Sequence, residues 1–305
     1  MMSFLIKVSL YSGLLIAVLA CFFTFTSSSY FKNKNVYIKK NILTQKASSY
    51  QNYILVLGNS HAECAINTTK ITPNSINMAA PSQGMQEDYA ILKQAYTLNP
   101  NIRNIILTYS YHSNTNILYS STRDEEVNRM FEYAYAYNIK YPRGAYAPKK
   151  CLGLLANWSV HTTKRPSPRN DLDAVGNLNT ICKPQTYTIT GVNERVNQHF
   201  SKRTQIKHTQ NPYFDSIRVF CNQHQIPLTV IVPPYTRSYM NVLEKQQPEA
   251  YAFINELVAK PSQSYNLHDC RTLFQNQETT FFKDPDHLSP CGRDSFSVYL
   301  KQLMQ

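Results

Sequence analysis

Tyr53-Ile54-Leu55-Val56-Leu57-Gly58-Asn59-Ser60-His61 is the stretch whose reading decides the fold. Its first five residues are apolar and bounded by turn-forming neighbours, as expected of a strand buried on both faces in a parallel sheet. Gly58 ends the run and Ser60 follows two residues later. A serine at a strand-to-helix turn carries its hydroxyl to the rim of the sheet, where nearby backbone N–H groups can face an oxyanion. Taken alone, Gly-x-Ser says little, because serine is also an ordinary turn or helix-capping residue.

Working outward, the chain repeats the same alternation. Ser75-Ile76-Asn77-Met78 is a second short strand and Glu87 to Leu98 an amphipathic helix. Asn104-Ile105-Ile106-Leu107-Thr108 is a third strand. After a blurred region at 115–210, rich in Tyr, Asn, Lys, Pro and Thr, regularity returns. A helix is expected at 212–224, then a strand at Leu228-Thr229-Val230-Ile231-Val232 stopped by Pro233-Pro234. A helix at 247–259, a strand near Tyr265 to His268, and a last helix capped by Ser289-Pro290 complete the order. Strands alternating with helices predict an α/β fold, a three-layer sandwich on a mostly parallel sheet, with the ligand site at the strands' carboxyl ends.

The second chemical signal lies near the C-terminus, in Phe282-Lys283-Asp284-Pro285-Asp286-His287-Leu288-Ser289. Asp284 and His287 form a D-x-x-H pair on one loop. At that spacing a carboxylate can accept the imidazole Nδ1–H and leave Nε2 free as a base for a serine. Asp286 is a rival orienter, but adjacent side chains diverge, and it reads better as a solvated charge of a capping loop. Ser60, Asp284 and His287 are therefore the expected catalytic triad.

Three blocks of the chain resemble the SGNH/GDSL hydrolases: the first strand with Gly58-Asn59-Ser60-His61, the segment Asn77-Met78-Ala79 through Gly84, and Asp284 to His287. The likeness is strongest to the membrane-anchored branch that includes proteins of alginate O-acetylation and teichoic acid D-alanylation. The Ile226-Pro227 to Pro233-Pro234-Tyr235 segment is similar to a late strand and loop of that branch. The resemblance implies a nucleophilic Ser60, acid and base at Asp284 and His287, and an oxyanion hole from the backbone N–H groups of Ser60 and Gly84. It needs no cofactor or metal. Asn59 stands where the family has aspartate, and the family's Gly-x-Asn after the third strand is absent, with Asn114 and Asn116 the nearest asparagines. An α/β-hydrolase is the nearest competing family, since Gly58-x-Ser60-x-Ala62 approximates its nucleophile turn. Against it, Ser60 follows the first strand and acid and base share one loop.

Composition sets the context. The 305-residue chain has 43% hydrophobic and 16% charged residues, which suits a large folded body and excludes a disordered or multi-span chain. Val8 to Thr26 is uncharged for 19 residues, long enough for a transmembrane or signal helix. Residues 1–27 are thus expected to be an anchor or signal segment, 28–50 a polar linker, and 51–305 the α/β domain with an irregular insertion at about 115–210. Val18-Leu19-Ala20-Cys21 offers an alternative lipoprotein attachment through Cys21. Lys32, Lys34, Lys39 and Lys40 after the span oppose export of the body, and the family resemblance favours it.

Six further cysteines, Cys64, Cys151, Cys182, Cys221, Cys270 and Cys291, permit disulfides whose pairing stays open. None has zinc-ligand spacing. The net charge of +12, with Lys149, Lys150, Lys164, Arg165, Arg169, Lys202 and Arg203 in one region, suits an anionic surface; no motif accompanies it that would indicate nucleic acid.

These readings converge on an envelope-associated, single-pass serine esterase or O-acyltransferase with its domain outside the cytoplasm. Its expected substrate is an acylated glycan, with partner proteins of polysaccharide modification. The alternative is a non-catalytic glycan-binding or scaffold protein of the same fold.

Overall fold

A computed structural model describes residues 30–32, 34–146, 150, 171–200, 211–260 and 262–304. The apolar span with Cys21, together with Cys151 and the basic residues Lys149, Lys164, Arg165, Arg169, Lys202 and Arg203, lies outside them. Among the described residues no helix is long and apolar enough to cross a membrane.

Five strands form one sheet: β1 (Tyr53–Leu57), β2 (Ser75–Asn77), β3 (Ile102–Thr108), β4 (Leu228–Val232) and β5 (Asn266–Asp269). Their spatial order is β2-β1-β3-β4-β5, and every neighbouring pair is parallel. The α/β class and the parallel sheet expected from the apolar runs are therefore present. The order reverses between β1 and β3, so their carboxyl ends diverge into a crevice, the usual place for a ligand in such a sheet.

Alternation along β1 explains why its whole run is apolar. Leu55 and Leu57 join one core with Ile105, Leu107, Val230 and Val232, whereas Ile54 and Val56 join a second with Ile106 and Ile231. Period-two geometry sends successive side chains to opposite faces, and helices cover both. The first core lies under α1 (Asn35–Ser49), α3 (Met85–Leu98), α4 (Asp124–Tyr137) and α6 (Pro212–Gln223). The second lies under α2 (Ser60–Ala65) and the terminal helix Pro290–Leu303.

Two expectations change. Residues expected to form a linker fold into α1, which packs Val36, Leu43 and Ala47 into the first core. Lys39 shares that buried face, with its Nζ on the Ala79 carbonyl and 3.3 Å from Glu63 Oε1. A lysine at a core position interrupts the apolar stripe by which a helix is read, and burial against Glu63 is what makes it tolerable. The region at 115–210 likewise holds α4 and α5 (Val192–Phe200). Beyond β4 the chain adds α7 (Arg237–Gln246), α8 (Pro248–Ala259), α9 (Glu278–Phe281) and α10 (Pro290–Leu303).

Cys182 pairs with Cys291, while Cys64, Cys221 and Cys270 are free and buried. The disulfide fastens the insertion to the first turn of α10. Arg293 reinforces it by donating to the carbonyls of Leu178 (2.8 Å) and Thr180 (2.6 Å).

Candidate active site

Gly58 makes the turn out of β1. Its φ is +130°, and a Cβ there would lie 2.1 Å from Thr108 Oγ1 on β3, so only glycine fits. Asn59 then caps α2, its Oδ1 accepting from His61 N–H at 3.0 Å. Ser60 is the first residue of that helix. Its backbone N–H has no acceptor within the helix.

The loop between α9 and α10 brings the partners. Asp284 Oδ1 accepts from the backbone N–H of Asp286 (3.1 Å) and of His287 (2.8 Å), folding Asp284 to His287 into a tight turn. A bridge between Phe282 and Leu288 closes it, and Thr236 Oγ1 donates to the Pro285 carbonyl at 2.7 Å. His287 Nδ1 then stands 2.9 Å from Asp284 Oδ2, and Nε2 2.9 Å from Ser60 Oγ. The tautomer that satisfies both neighbours carries its proton on Nδ1 and accepts the serine proton at Nε2. All three side chains line one pocket of about 430 Å³, with Glu63, Ser82, Asn116, Arg123, Arg195 and Lys283 among its walls.

Behind the triad lies a charged cluster that the sequence did not announce. Asp286, expected to be a solvated charge, is fully buried. Its Oδ2 accepts from His61 Nε2 at 2.6 Å, and its Oδ1 from Arg195 Nε at 2.6 Å. His199 Nε2 is 3.6 Å from the same carboxylate. Burial works against the Asp286 charge, but His287, His61 and His199 outweigh it and hold the carboxyl well below the usual range. Burial in turn lowers His61, which sits neutral with its Nδ1 2.7 Å from Ser110 Oγ. Both carboxylates of this turn approach His287 Nδ1, Asp284 Oδ2 at 2.9 Å and Asp286 Oδ1 at 3.7 Å, but only Asp286 is fully buried. It lies behind the pocket wall, joined to it through Arg195 and His287.

His61, Asp286 and His287 each offer a ligand atom within 4.8 Å of the others. The donor set does not suit a metal ion: the Arg195 guanidinium already holds the cation position on Asp286, and His287 uses both nitrogens on Asp284 and Ser60.

Gly84 does not serve as expected. It is the N-cap of α3, and its N–H donates to Glu87 Oε2 at 3.0 Å. A capping box consumes the donor an oxyanion would need. The asparagines after β3 are also engaged. Asn116 Nδ2 donates to the Gln83 carbonyl at 2.8 Å, and Asn114 Oδ1 accepts from the Tyr109 hydroxyl.

A second carboxylate supports the turn that carries Ser60. Buried Asp88 accepts at Oδ1 from Gly58 N–H (2.8 Å) and from Gln83 Nε2 (2.6 Å). Burial pushes its pKa up to about 7, against these hydrogen bonds. The folded state thus keeps a proton that the unfolded chain releases near pH 4. Stability should therefore fall as pH rises from about 4 to 7, with a slope approaching ~1.4 kcal/mol per pH unit. Asp88→Asn keeps the Oδ1 acceptor without the charge and should flatten that slope. Melting temperatures of both proteins measured across pH 4–8 check this, and parallel curves would exclude Asp88 as the cause.

No protein-family model matches the chain, and no curated protein is significantly similar to it.

Proposed function

We propose that the protein is a serine esterase or O-acyltransferase of SGNH type, acting on acyl esters, most simply acetyl esters, of a glycan at the cell envelope. The observation that carries this reading is the unbroken series Ser60 Oγ, His287 Nε2, His287 Nδ1, Asp284 Oδ2, with both links at 2.9 Å, at the mouth of a polar pocket.

The chemistry follows from that series. Ser60 Oγ attacks the ester carbonyl carbon while its proton passes to His287 Nε2, and the carbonyl electron pair moves onto oxygen. Asp284 holds the ring and balances the imidazolium. Return of the electron pair expels the alcohol, which takes the proton from His287, and the acyl group stays on Ser60. Water or a sugar hydroxyl then attacks the acyl-enzyme by the same route with His287 as base. An acceptor hydroxyl held in the pocket favours transfer over hydrolysis by excluding water.

The envelope setting rests on the apolar stretch Val8 to Thr26, on the net charge of +12, and on the Cys182–Cys291 disulfide, which suits an oxidising compartment. A single-pass anchor or a Cys21 lipid would hold the domain at the membrane. The competing reading, a glycan-binding scaffold, draws on one observation, the Gly84 N–H spent on Glu87.

Labelling of the purified chain by a fluorophosphonate separates the two. The enzyme reading expects labelling that disappears in Ser60→Ala and in His287→Ala. A well-folded chain that takes up no label would move the scaffold reading to first place.

A further inference from the structure

The pocket holds a triad yet lacks the usual donors for the charge it would create. Gly84 N–H is bonded to Glu87, and Asn116 Nδ2 to the Gln83 carbonyl. Asn59 Nδ2 lies 3.1 Å from His112 Nε2 and 3.3 Å from Ser110 Oγ. That leaves Ser60 N–H alone among the groups expected to face an oxyanion.

Arg195 fills the gap. It reaches the pocket from α5, inside the insertion, and its side chain is 26% exposed, enough to meet a substrate. Its Nε and Nη2 clamp the two Asp286 oxygens at 2.6 and 3.2 Å. This fork fixes the guanidinium plane, and buried Asp286 cannot release it without stranding its own charge. Nη2 also lies 3.2 Å from His287 Nδ1 and 3.3 Å from His287 Nε2. Both ring nitrogens already have partners in Asp284 and Ser60, so this approach is a contact with the ring and not a further hydrogen bond. Nη2 carries two protons and Asp286 takes one. The nitrogen that carries the other lies 3.3 Å from His287 Nε2, the atom to which Ser60 delivers its proton.

We propose that Arg195 is a catalytic residue: its Nη2 donates to the carbonyl oxygen as that oxygen becomes an oxyanion, replacing the backbone and asparagine donors that are otherwise engaged. The inference rests on the serine acyl-transfer reading. The charge arrangement suits the task. The proton transfer separates charge into an imidazolium and an oxyanion; Asp284 and Asp286 lie beside the first, and the Arg195 guanidinium would meet the second. A preorganised cation fixed before the reaction stabilises the transition state without reorganising during it.

The test compares Ser60 acylation by 4-nitrophenyl acetate, and phosphonylation by a fluorophosphonate, in the native chain and three variants. Arg195→Gln should slow acylation about 10²–10³-fold with little change in KM, the cost of one oxyanion donor. Added guanidinium ion should recover part of the rate. Because Arg195→Gln strands Asp286, the double variant Arg195→Gln/Asp286→Asn removes both charges and keeps the fold testable, with Asp286→Asn alone as its reference. The double variant should be slower than Asp286→Asn by a similar factor. Equal rates for those two, or an Arg195→Gln rate within about threefold of native, would assign Arg195 to neutralising Asp286 and overturn the proposal. A native chain inert to both probes would overturn the serine reading and this inference together, whereas a reactive native chain with indifferent Arg195 variants overturns this inference alone.

Discussion

Ser60→Ala and His287→Ala should each lower the rate of 4-nitrophenyl acetate turnover about 10⁶-fold, and the double variant should be no slower. The reason is the single hydrogen-bonded series that joins them, in which the hydroxyl at 2.9 Å from His287 Nε2 would lose its proton only as it attacks. Removing either end removes the same step. Asp284→Asn should cost less, about 10⁴-fold, because an amide can leave His287 in the wrong tautomer while the geometry survives. Asp284 is suited to that role by its two backbone donors, at 3.1 and 2.8 Å, which hold the carboxylate still. Steady-state rates with active-site titration give the ordering. Ser60→Ala retaining more than about a hundredth of native turnover would exclude Ser60 as the nucleophile.

Asp286→Ala should produce the largest loss of stability, about 3–5 kcal/mol. Its carboxylate is fully buried and is the counter-ion of Arg195, with His61 bonded to it and His199 close by. Alanine would leave the guanidinium partly buried without a partner and would strand the His61 N–H, and desolvated groups of this kind are expensive to leave unmatched. Asp284→Ala is the informative contrast. The Asp284 side chain is 37% exposed, so water can replace part of its bonding to the turn and its removal should cost far less than that of Asp286. Urea unfolding of both variants tests the difference. Equal stabilities would mean that the buried cluster contributes nothing to the fold. The two aspartates of one short loop thus divide the work: Asp284 is expected to matter for rate and Asp286 for stability.

Much of this protein can be read from local sequence, and the reason lies in period and spacing. The runs at Tyr53–Leu57 and Leu228–Val232, apolar but for Thr229, suit burial on both faces, which pointed to a parallel sheet. Ser60 after Gly58, and Asp284 three residues before His287, are short-range patterns whose geometry follows from the turn that contains them. The Cys182–Cys291 pairing, by contrast, joins residues 109 apart in the sequence, and no count of cysteines selects it.

Tertiary structure alone decided the rest. Helix α1 was hidden because Lys39 occupies a core position, and only the buried Glu63 and Ala79 carbonyl around it show why a lysine is allowed there. Gly84 had the right residue type in the right block, yet its N–H turned inward to Glu87, a choice set by how α3 begins. Arg195 and His199 belong to a region without a legible pattern, and they enter the site because α5 packs beside α7 and presents both to Asp286. A sequence carries the chemistry of each side chain and the period of each element. Which charge is buried against which partner depends on segments brought together across the chain, and that pairing exists only once the chain has folded.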